Sequence, residues 1–254
     1  MNPRVKEGAL LSILLIAGWW AAGTTTVAAW EQVGAALAAG LCLMRWWRRE
    51  PGAPGTIDAV ALMLAAIGLA LGWAWPAAAA FAWVLGRGEP AGLLRWRAVA
   101  MAAMSVPWLA SDATSLGWGF RWTGAWAAGE IFDLSGLAVT RAGTALQIED
   151  QPISVDAACA GLDTLQATLV AGLWLADHLR TSRGWLWAVA PLPLLAWMAN
   201  TARIVVLGAV AVTAGHEAAK GWFHAWGGLT VVVMVFVVAG AWASWLRSRE
   251  RIRT

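Results

Sequence analysis

The feature that most constrains this chain is the length of its uncharged apolar runs. Residues 8–30 carry no charge, and a second run of 28 residues, 59–86, carries none either. A helix that crosses a bilayer needs about 20 consecutive apolar residues. Of all 254 residues, 60% are hydrophobic and 13% are charged, whereas soluble domains carry about 25% charged residues. The chain is therefore predicted to be an integral membrane protein, which excludes a secreted soluble enzyme, a disordered chain and a nucleic-acid-binding module.

Eight spanning helices account for the apolar runs. Residues 23–26, Gly-Thr-Thr-Thr, are typical of a turn and separate the first two helices, and residues 73–76, Trp-Ala-Trp-Pro, divide the run over 59–86. The predicted fold class is an all-α polytopic membrane protein in which residues 1–254 form one integral membrane domain. The predicted helices cover residues 8–22, 27–44, 57–74, 76–86, 94–110, 162–177, 185–204 and 225–246.

The distribution of lysine and arginine predicts how these helices are oriented. Cytoplasmic loops of membrane proteins collect basic residues. With eight spans and both termini in the cytoplasm, 14 of the 18 basic residues lie on the cytoplasmic side, and four lie outside: Arg121, Arg141, Arg203 and Lys220. We therefore predict a multi-pass protein of the cytoplasmic (inner) membrane. Its basic residues face anionic lipid of the bilayer, and no nucleic acid partner is predicted.

One long segment, residues 111–158, has little spanning character and is predicted to be extracytoplasmic. Within it, residues 118–134 are predicted to form an interfacial helix that places four aromatic side chains among the lipid headgroups. These are Trp118, Trp122, Trp126 and Phe132. Residues 137–141 and 144–149 alternate weakly between apolar and polar positions around Ala142-Gly143. This pattern predicts a short β-hairpin before the sixth span.

Cys159 is the first candidate for chemistry because it lies at the outer start of the sixth span. A thiol near the positive end of a helix dipole is favoured as the thiolate, which is the nucleophilic form. Asp156 is placed to cap this helix, and Gly161 allows the backbone of a substrate to approach closely. The alternative interpretation is a small buried residue at a helix start. The other cysteine, Cys42, lies among apolar residues of the second span and is interpreted as core.

Arg203 is the second candidate, near the outer end of the seventh span. An ionisable residue at the end of a long apolar stretch usually faces a polar cavity or has a function. Asn200 precedes it by one helical turn and lies on the same face, where it can hold the guanidinium in place. The alternative is an interfacial arginine that extends its charge into water.

A histidine completes the predicted site. His216 and His224 both belong to the outer loop before the last span, and His224 stands at the threshold of that span, whereas His178 lies at the cytoplasmic end of the sixth. A cysteine, an arginine and a histidine from three helices thus lie at one membrane depth. Thiol acyl transfer needs this set of a nucleophile, an oxyanion stabiliser and a base. The choice between His224 and His216 stays open.

Three short patterns in this order give the chain a family resemblance. They are Ala-Cys-x-Gly-Leu at 158–162, Asn-x-x-Arg-Ile at 200–204, and a histidine before a glycine-containing final span. Together they resemble the exosortase/archaeosortase family of polytopic membrane proteins. The resemblance implies that Cys159 is the nucleophile and that Arg203 and His224 complete the catalytic set. The usual serine between the cysteine and the glycine is Ala160 here, so the subfamily and the cognate sorting motif stay open.

The resemblance also implies the reaction and its substrates. The expected activity is that of a cysteine protease or transpeptidase, without a cofactor or metal, whose active site faces the extracytoplasmic side. Its partners would be membrane-anchored proteins whose C-terminal sorting signal, of the PEP-CTERM type, combines a short motif, a membrane helix and a basic tail. A non-catalytic scaffold or a small transporter is the competing interpretation. This sequence lacks the motifs of serine, zinc and aspartyl proteases.

Overall fold

The computed structural model describes residues 10–14, 16, 56–87, 92–149, 151–154, 162–215, 219 and 222–252. The predicted span 27–44 and Cys42 lie outside these residues, as does most of the predicted span 8–22. Within the described ranges the chain forms nine α-helices and one three-stranded sheet. In order they are α1 (Thr56–Ala70), α2 (Trp75–Arg87), α3 (Leu93–Met104), α4 (Trp108–Asp112), α5 (Thr114–Leu134), β1 (Val139–Ala142), β2 (Ala145–Ile148), β3 (Gln151–Ser154), α6 (Leu162–Ala176), α7 (Ser182–Val189), α8 (Leu192–Ala214) and α9 (Trp222–Ile252).

Helices α1 to α3 pack as consecutive neighbours around the buried side chain of Phe81. The predicted division of the uncharged run over 59–86 is confirmed, because α1 and α2 are separate helices joined through residues 71–74. Gly72 in this turn has a φ of 79°, a conformation in which a side chain would be strained. Leu11 and Leu14 from the N-terminal region belong to the same buried cluster.

The predicted single helix over 94–110 is wrong, because the chain breaks between α3 and α4. Pro107 lacks the N–H that a continuous helix needs and disfavours the helical conformation of the residue before it. The freed carbonyl groups are bound by Gln166 of α6, whose Nε2 donates to the Met104 oxygen at 3.0 Å and to the Val106 oxygen. The Leu109 N–H in turn donates to Gln166 Oε1 at 3.3 Å.

Helix α5 begins four residues before the predicted interfacial helix and separates its aromatic side chains onto two faces. Trp118, Trp122 and Trp126 follow one another at helical spacing and are exposed. Phe132 is only 4% exposed, so its predicted place among the headgroups is wrong. It packs against α8, where a Cβ added at Gly208 would be 2.7 Å from the Phe132 ring.

The three strands form one antiparallel sheet in the order β1-β2-β3. Val139 pairs with Ile148 and Ala142 with Ala145, so β1 and β2 lie where the weak alternation predicts a hairpin. The third strand, β3, is an addition to that prediction. Leu146 and Ile148 point from β2 into a buried cluster with Ala125, Ala128 and Phe132 of α5 and Ile204 of α8. The sheet therefore covers the C-terminal half of the contact between α5 and α8.

The C-terminal helices are longer than the sequence predicted. Helix α8 begins after Pro191 and extends to Ala214, ten residues beyond the predicted end, and α9 runs for 31 residues. Among the described residues, one helical stretch, Ser182–Ala214, is long and apolar enough to cross a membrane. It comprises α7 and α8. The number of membrane crossings in the chain stays a prediction.

Candidate active site

Arg203 and Asn200 lie on one face of α8, three residues apart, as predicted from their spacing. Asn200 is 1% exposed, and Arg203 is half-buried. The Nε atom of Arg203 is shielded from solvent and has no hydrogen-bond partner in the part of the chain that the structure describes. Burying a polar atom of a charged group without a partner costs free energy. The Nε atom of Arg121 is shielded in the same way, so this feature alone does not distinguish a cavity-facing from an interfacial Arg203.

Helix α5 packs against this face of α8 through a glycine. A Cβ added at Gly124 would lie 3.2 Å from Ile204 Cδ1, 3.6 Å from Thr201 Oγ1 and 3.9 Å from Asn200 Nδ2. The absence of a side chain lets the backbone of α5 approach the polar residues of α8 closely. The contact between α5 and α8 around these residues is referred to below as the α5–α8 seam.

Polar contacts continue along the α5–α8 seam. Trp197 of α8 donates its indole N–H to Thr123 Oγ1 at 3.0 Å, and the Thr123 hydroxyl donates to the Gly119 carbonyl at 2.7 Å. Buried polar side chains that are hydrogen-bonded fix the relative position of two helices. The seam therefore holds the part of α8 that carries Asn200 in a defined place.

Arg121 of α5 is a residue of this region that sequence reasoning missed. It is half-buried, and its Nε atom is shielded from solvent without a hydrogen-bond partner among the described residues. It precedes Gly124 by one helical turn. The available signal was its place on an otherwise small-residue stripe with Gly117, Gly124 and Ala128, all of which are buried. In the sequence this arginine was assigned only to the charges outside the membrane.

The start of α6 is held beside the same part of α8. Leu162 and Leu165 form one buried cluster with Ala196 of α8 and Leu109 of α4. Gln166, 6% exposed, ties α6 to the break between α3 and α4 through the hydrogen bonds described above. Sequence reasoning missed Gln166, although an amide inside an apolar helix is a recognisable signal of a buried polar contact.

Of the six predicted site residues, the structure describes the side chains of two, Arg203 and Asn200, which lie one turn apart on α8. Asp156, Cys159 and Gly161 lie outside the described residues, as does the alternative histidine, His216. His224 is the third residue of α9, and its side chain is not among those described. The convergence of cysteine, arginine and histidine therefore stays a prediction. Among the described residues, no group of three or more His, Cys, Asp or Glu side chains comes together.

The chain matches a known protein family over almost its whole length. Residues 4–241 match the family model described as transmembrane exosortase, so the match covers nearly the whole chain. No curated protein and no solved structure matches significantly. The matched range includes the three short patterns on which the resemblance in the sequence depends.

Proposed function

The chain belongs to the transmembrane exosortase family, and from this we propose that it is a membrane-embedded cysteine protease or transpeptidase. We propose that it cleaves the C-terminal sorting signal of exported proteins, of the PEP-CTERM type. The observation that carries the proposal is the family match over residues 4–241, which contains Cys159, Arg203 and His224 in the expected order. The family is membrane-integral and acts on membrane-associated substrates that bear sorting signals.

In the proposed reaction the Cys159 thiolate attacks the carbonyl carbon of the scissile peptide bond. A C–S bond forms, and the carbonyl oxygen becomes an oxyanion that Arg203 stabilises with its guanidinium. His224 donates a proton to the leaving amine as the C–N bond breaks, which leaves a thioester on Cys159. His224 then takes a proton from water or from an acceptor amine, which attacks the thioester. The C–S bond breaks, the product leaves, and the Cys159 thiolate and protonated His224 are restored.

The described residues support the part of this proposal that concerns Arg203. Its guanidinium is held on a helix that packs closely against α5, and Asn200 is buried one turn away. Cys159 precedes the start of α6 by three residues, and the cluster of Leu162, Leu165 and Ala196 joins that start to α8. An arginine carried by a helix that is itself held in place fits an oxyanion stabiliser, because donors that are already oriented need no reorganisation during the reaction.

The proposed topology is multi-pass in the cytoplasmic membrane, with both termini in the cytoplasm and residues 111–158 outside. We test it with single cysteines in a Cys42→Ala/Cys159→Ala background. Gln147→Cys, exposed on β2, is expected to react with a membrane-impermeant maleimide in intact cells. Ser182→Cys, exposed at the start of α7, is expected to react only after permeabilisation. Labelling of position 182 from outside, or protection of position 147, would contradict the topology.

The chemical proposal is tested by trapping the covalent intermediate. The substrate is a protein from the same genome that ends in a short motif, one apolar helix and an arginine cluster. An acid quench during turnover is expected to capture the enzyme joined to the N-terminal fragment. Neutral hydroxylamine is expected to cleave this adduct and release the fragment, which identifies the bond as a thioester. His224→Ala is expected to slow formation of this adduct by about 10²-fold or more, because the proton transfer to the leaving amine is lost. The readout is the intact mass of the adduct and its rate of appearance.

The matched control for this experiment is His216→Ala, which removes the other histidine of the same loop. It is expected to leave the rate of adduct formation unchanged. If His216→Ala blocks the adduct and His224→Ala does not, the choice of histidine is wrong while the acyl-transfer chemistry survives. Cleavage that proceeds without any hydroxylamine-sensitive adduct would overturn the covalent mechanism.

A further inference from the structure

A cavity of about 360 Å³ lies between α7 and the last turns of α9, and neither Arg203 nor Asn200 lines it. We refer to it as the α7–α9 cavity. This volume is within the range of ligand-binding sites, which are typically about 300–1,000 Å³. Its walls combine three tryptophans with two arginines and one carboxylate. The residues that line it are Thr181, Arg183, Gly184, Trp187, Trp242, Trp245, Leu246, Arg249 and Glu250.

The aromatic wall of the α7–α9 cavity is fixed by contacts within the protein. The indole N–H of Trp242 donates to the Trp187 carbonyl at 2.9 Å, which ties α9 to α7. The rings of Trp242 and Trp245 are stacked with centroids 5.0 Å apart. The Arg249 guanidinium carbon lies 4.7 Å from the centroid of the Trp245 ring, within the range of a cation–π interaction. One face of the Arg249 guanidinium therefore rests on the Trp245 ring, while its N–H groups, which lie in the plane of the guanidinium, can bind a ligand.

The single carboxylate of the cavity is already engaged by the loop before α7. Glu250 accepts hydrogen bonds from the Arg180 N–H at 2.9 Å, from the Thr181 N–H at 3.2 Å and from the Thr181 hydroxyl. Burial raises the pKa of Glu250, but the hydrogen bonds from Thr181 and Arg180 and the positive charge of Arg97 outweigh this, so the pKa lies below its usual value. Glu250 thus stays ionised at neutral pH and is directed towards the loop.

The loop itself is held from the other side by a buried arginine. Arg97 of α3 is 4% exposed and donates to the carbonyl oxygens of Asp177 at 3.3 Å, Leu179 at 2.6 Å and Thr181 at 3.4 Å. Hydrogen bonds from a charged donor to carbonyl groups are among the stronger ones in proteins. The rim of the α7–α9 cavity is therefore built by fixed groups, and its shape does not depend on a bound ligand.

The two arginines of the cavity, Arg183 and Arg249, are exposed and can bind an anion. In the part of the chain that the structure describes, neither Arg183 nor Arg249 has a carboxylate within ion-pair distance. Arginine forks bind phosphate through paired N–H donors. The wall of tryptophans favours a ligand whose polar group continues into apolar chains, because indole rings prefer the membrane–water boundary. On the face of α9 that carries Trp242 and Trp245, Met234 and Val238 precede these tryptophans at helical spacing and are exposed, so acyl chains can lie on them.

We propose that the α7–α9 cavity binds the phosphate of an anionic glycerophospholipid between Arg183 and Arg249, with the glycerol backbone against the tryptophan wall. Basic pockets between membrane helices recognise anionic headgroups by this combination of charge and interfacial depth. The site is separate from the proposed reaction centre, so it does not depend on the proposed function. Its consequence is that anionic lipid ties α7 to the end of α9 and stabilises their contact.

The test uses the full-length protein in a neutral detergent and measures lipid binding by native mass spectrometry. Phosphatidylglycerol is expected to bind as one retained lipid, and phosphatidylcholine is expected to bind much more weakly. Arg183→Gln/Arg249→Gln is expected to weaken phosphatidylglycerol binding by about 10-fold or more, because two charge-assisted contacts are lost. The matched control, Arg180→Gln/Arg247→Gln, removes the same charge from neighbouring exposed positions that do not line the cavity, and it is expected to keep the affinity.

Other outcomes would overturn the proposal. Equal losses in the two double variants would mean a diffuse attraction to basic residues and no site in the cavity. If millimolar inorganic phosphate displaces bound phosphatidylglycerol, the cavity is a site for free anions. If Arg183→Gln/Arg249→Gln does not fold, Arg249→Gln is compared with Arg247→Gln on the same helix, and equal affinities in that pair would refute the site.

Discussion

Replacement of Cys159 by alanine is expected to abolish processing of the sorting-signal substrate while the protein remains in the membrane at its normal level. Without the thiolate no thioester forms, and removal of a catalytic nucleophile costs about 10³-fold in rate or more. The change removes one sulfur atom at a helix start and introduces a good helix former, so little stability should be lost. The measurement is the ratio of full-length to processed substrate in cells that express each variant at matched levels.

Cys42→Ala is the matched control, because it makes the same substitution at the only other cysteine of the sequence. Its processing is expected to equal that of the unmodified protein. If Cys159→Ala processes its substrate normally, covalent catalysis by this residue is wrong, and a scaffold or transporter becomes the better interpretation. Loss of Cys159→Ala from the membrane fraction would instead reveal a structural role for the thiol.

The helices that the sequence located best are those bounded by local signals. The turn around Gly72 and the start of α6 at Leu162 are marked by composition alone, and both lie close to their predicted places. The break at Pro107 lies within a predicted helix although proline is itself a local signal. What sequence reasoning could not place there is Gln166, which lies 60 residues away from Val106 in the chain and binds its carbonyl group. Contacts between distant residues leave no periodic pattern, so local reasoning could not find them.

The candidate site shows the same division between local and distant signals. Asn200 and Arg203 were identified because two polar residues at helical spacing within an apolar run can be recognised from the local sequence alone. Phe132 was misassigned, and the partial burial of Arg121 was missed, because the choice of the inward face of α5 depends on its packing against α8. The three exposed tryptophans of α5 dominate its sequence, although the buried stripe through Gly124 and Phe132 determines how it packs.

The second large effect on substrate processing is expected for Arg203→Lys. Lysine keeps the positive charge but loses the planar fork of N–H donors, so an oxyanion that depends on oriented donors is less stabilised. Loss of one such donor typically slows acyl transfer by about 10²–10³-fold. We therefore expect processing by Arg203→Lys to slow by about that factor, measured as the initial rate of substrate cleavage after a pulse of synthesis.

Arg141→Lys is the control for this prediction, since it makes the same change at an exposed arginine that pairs with Glu130 at 2.8 Å. An ion pair at the surface contributes about 1 kcal/mol or less, and lysine can retain it, so the cleavage rate should stay within about twofold. A normal rate in Arg203→Lys would mean that this guanidinium only extends towards water. A slow rate combined with a lower membrane level would assign it to packing at the α5–α8 seam. The catalytic assignment requires a slow rate at a normal level, because stabilisation of the oxyanion affects the barrier of the reaction and leaves the folded state unchanged.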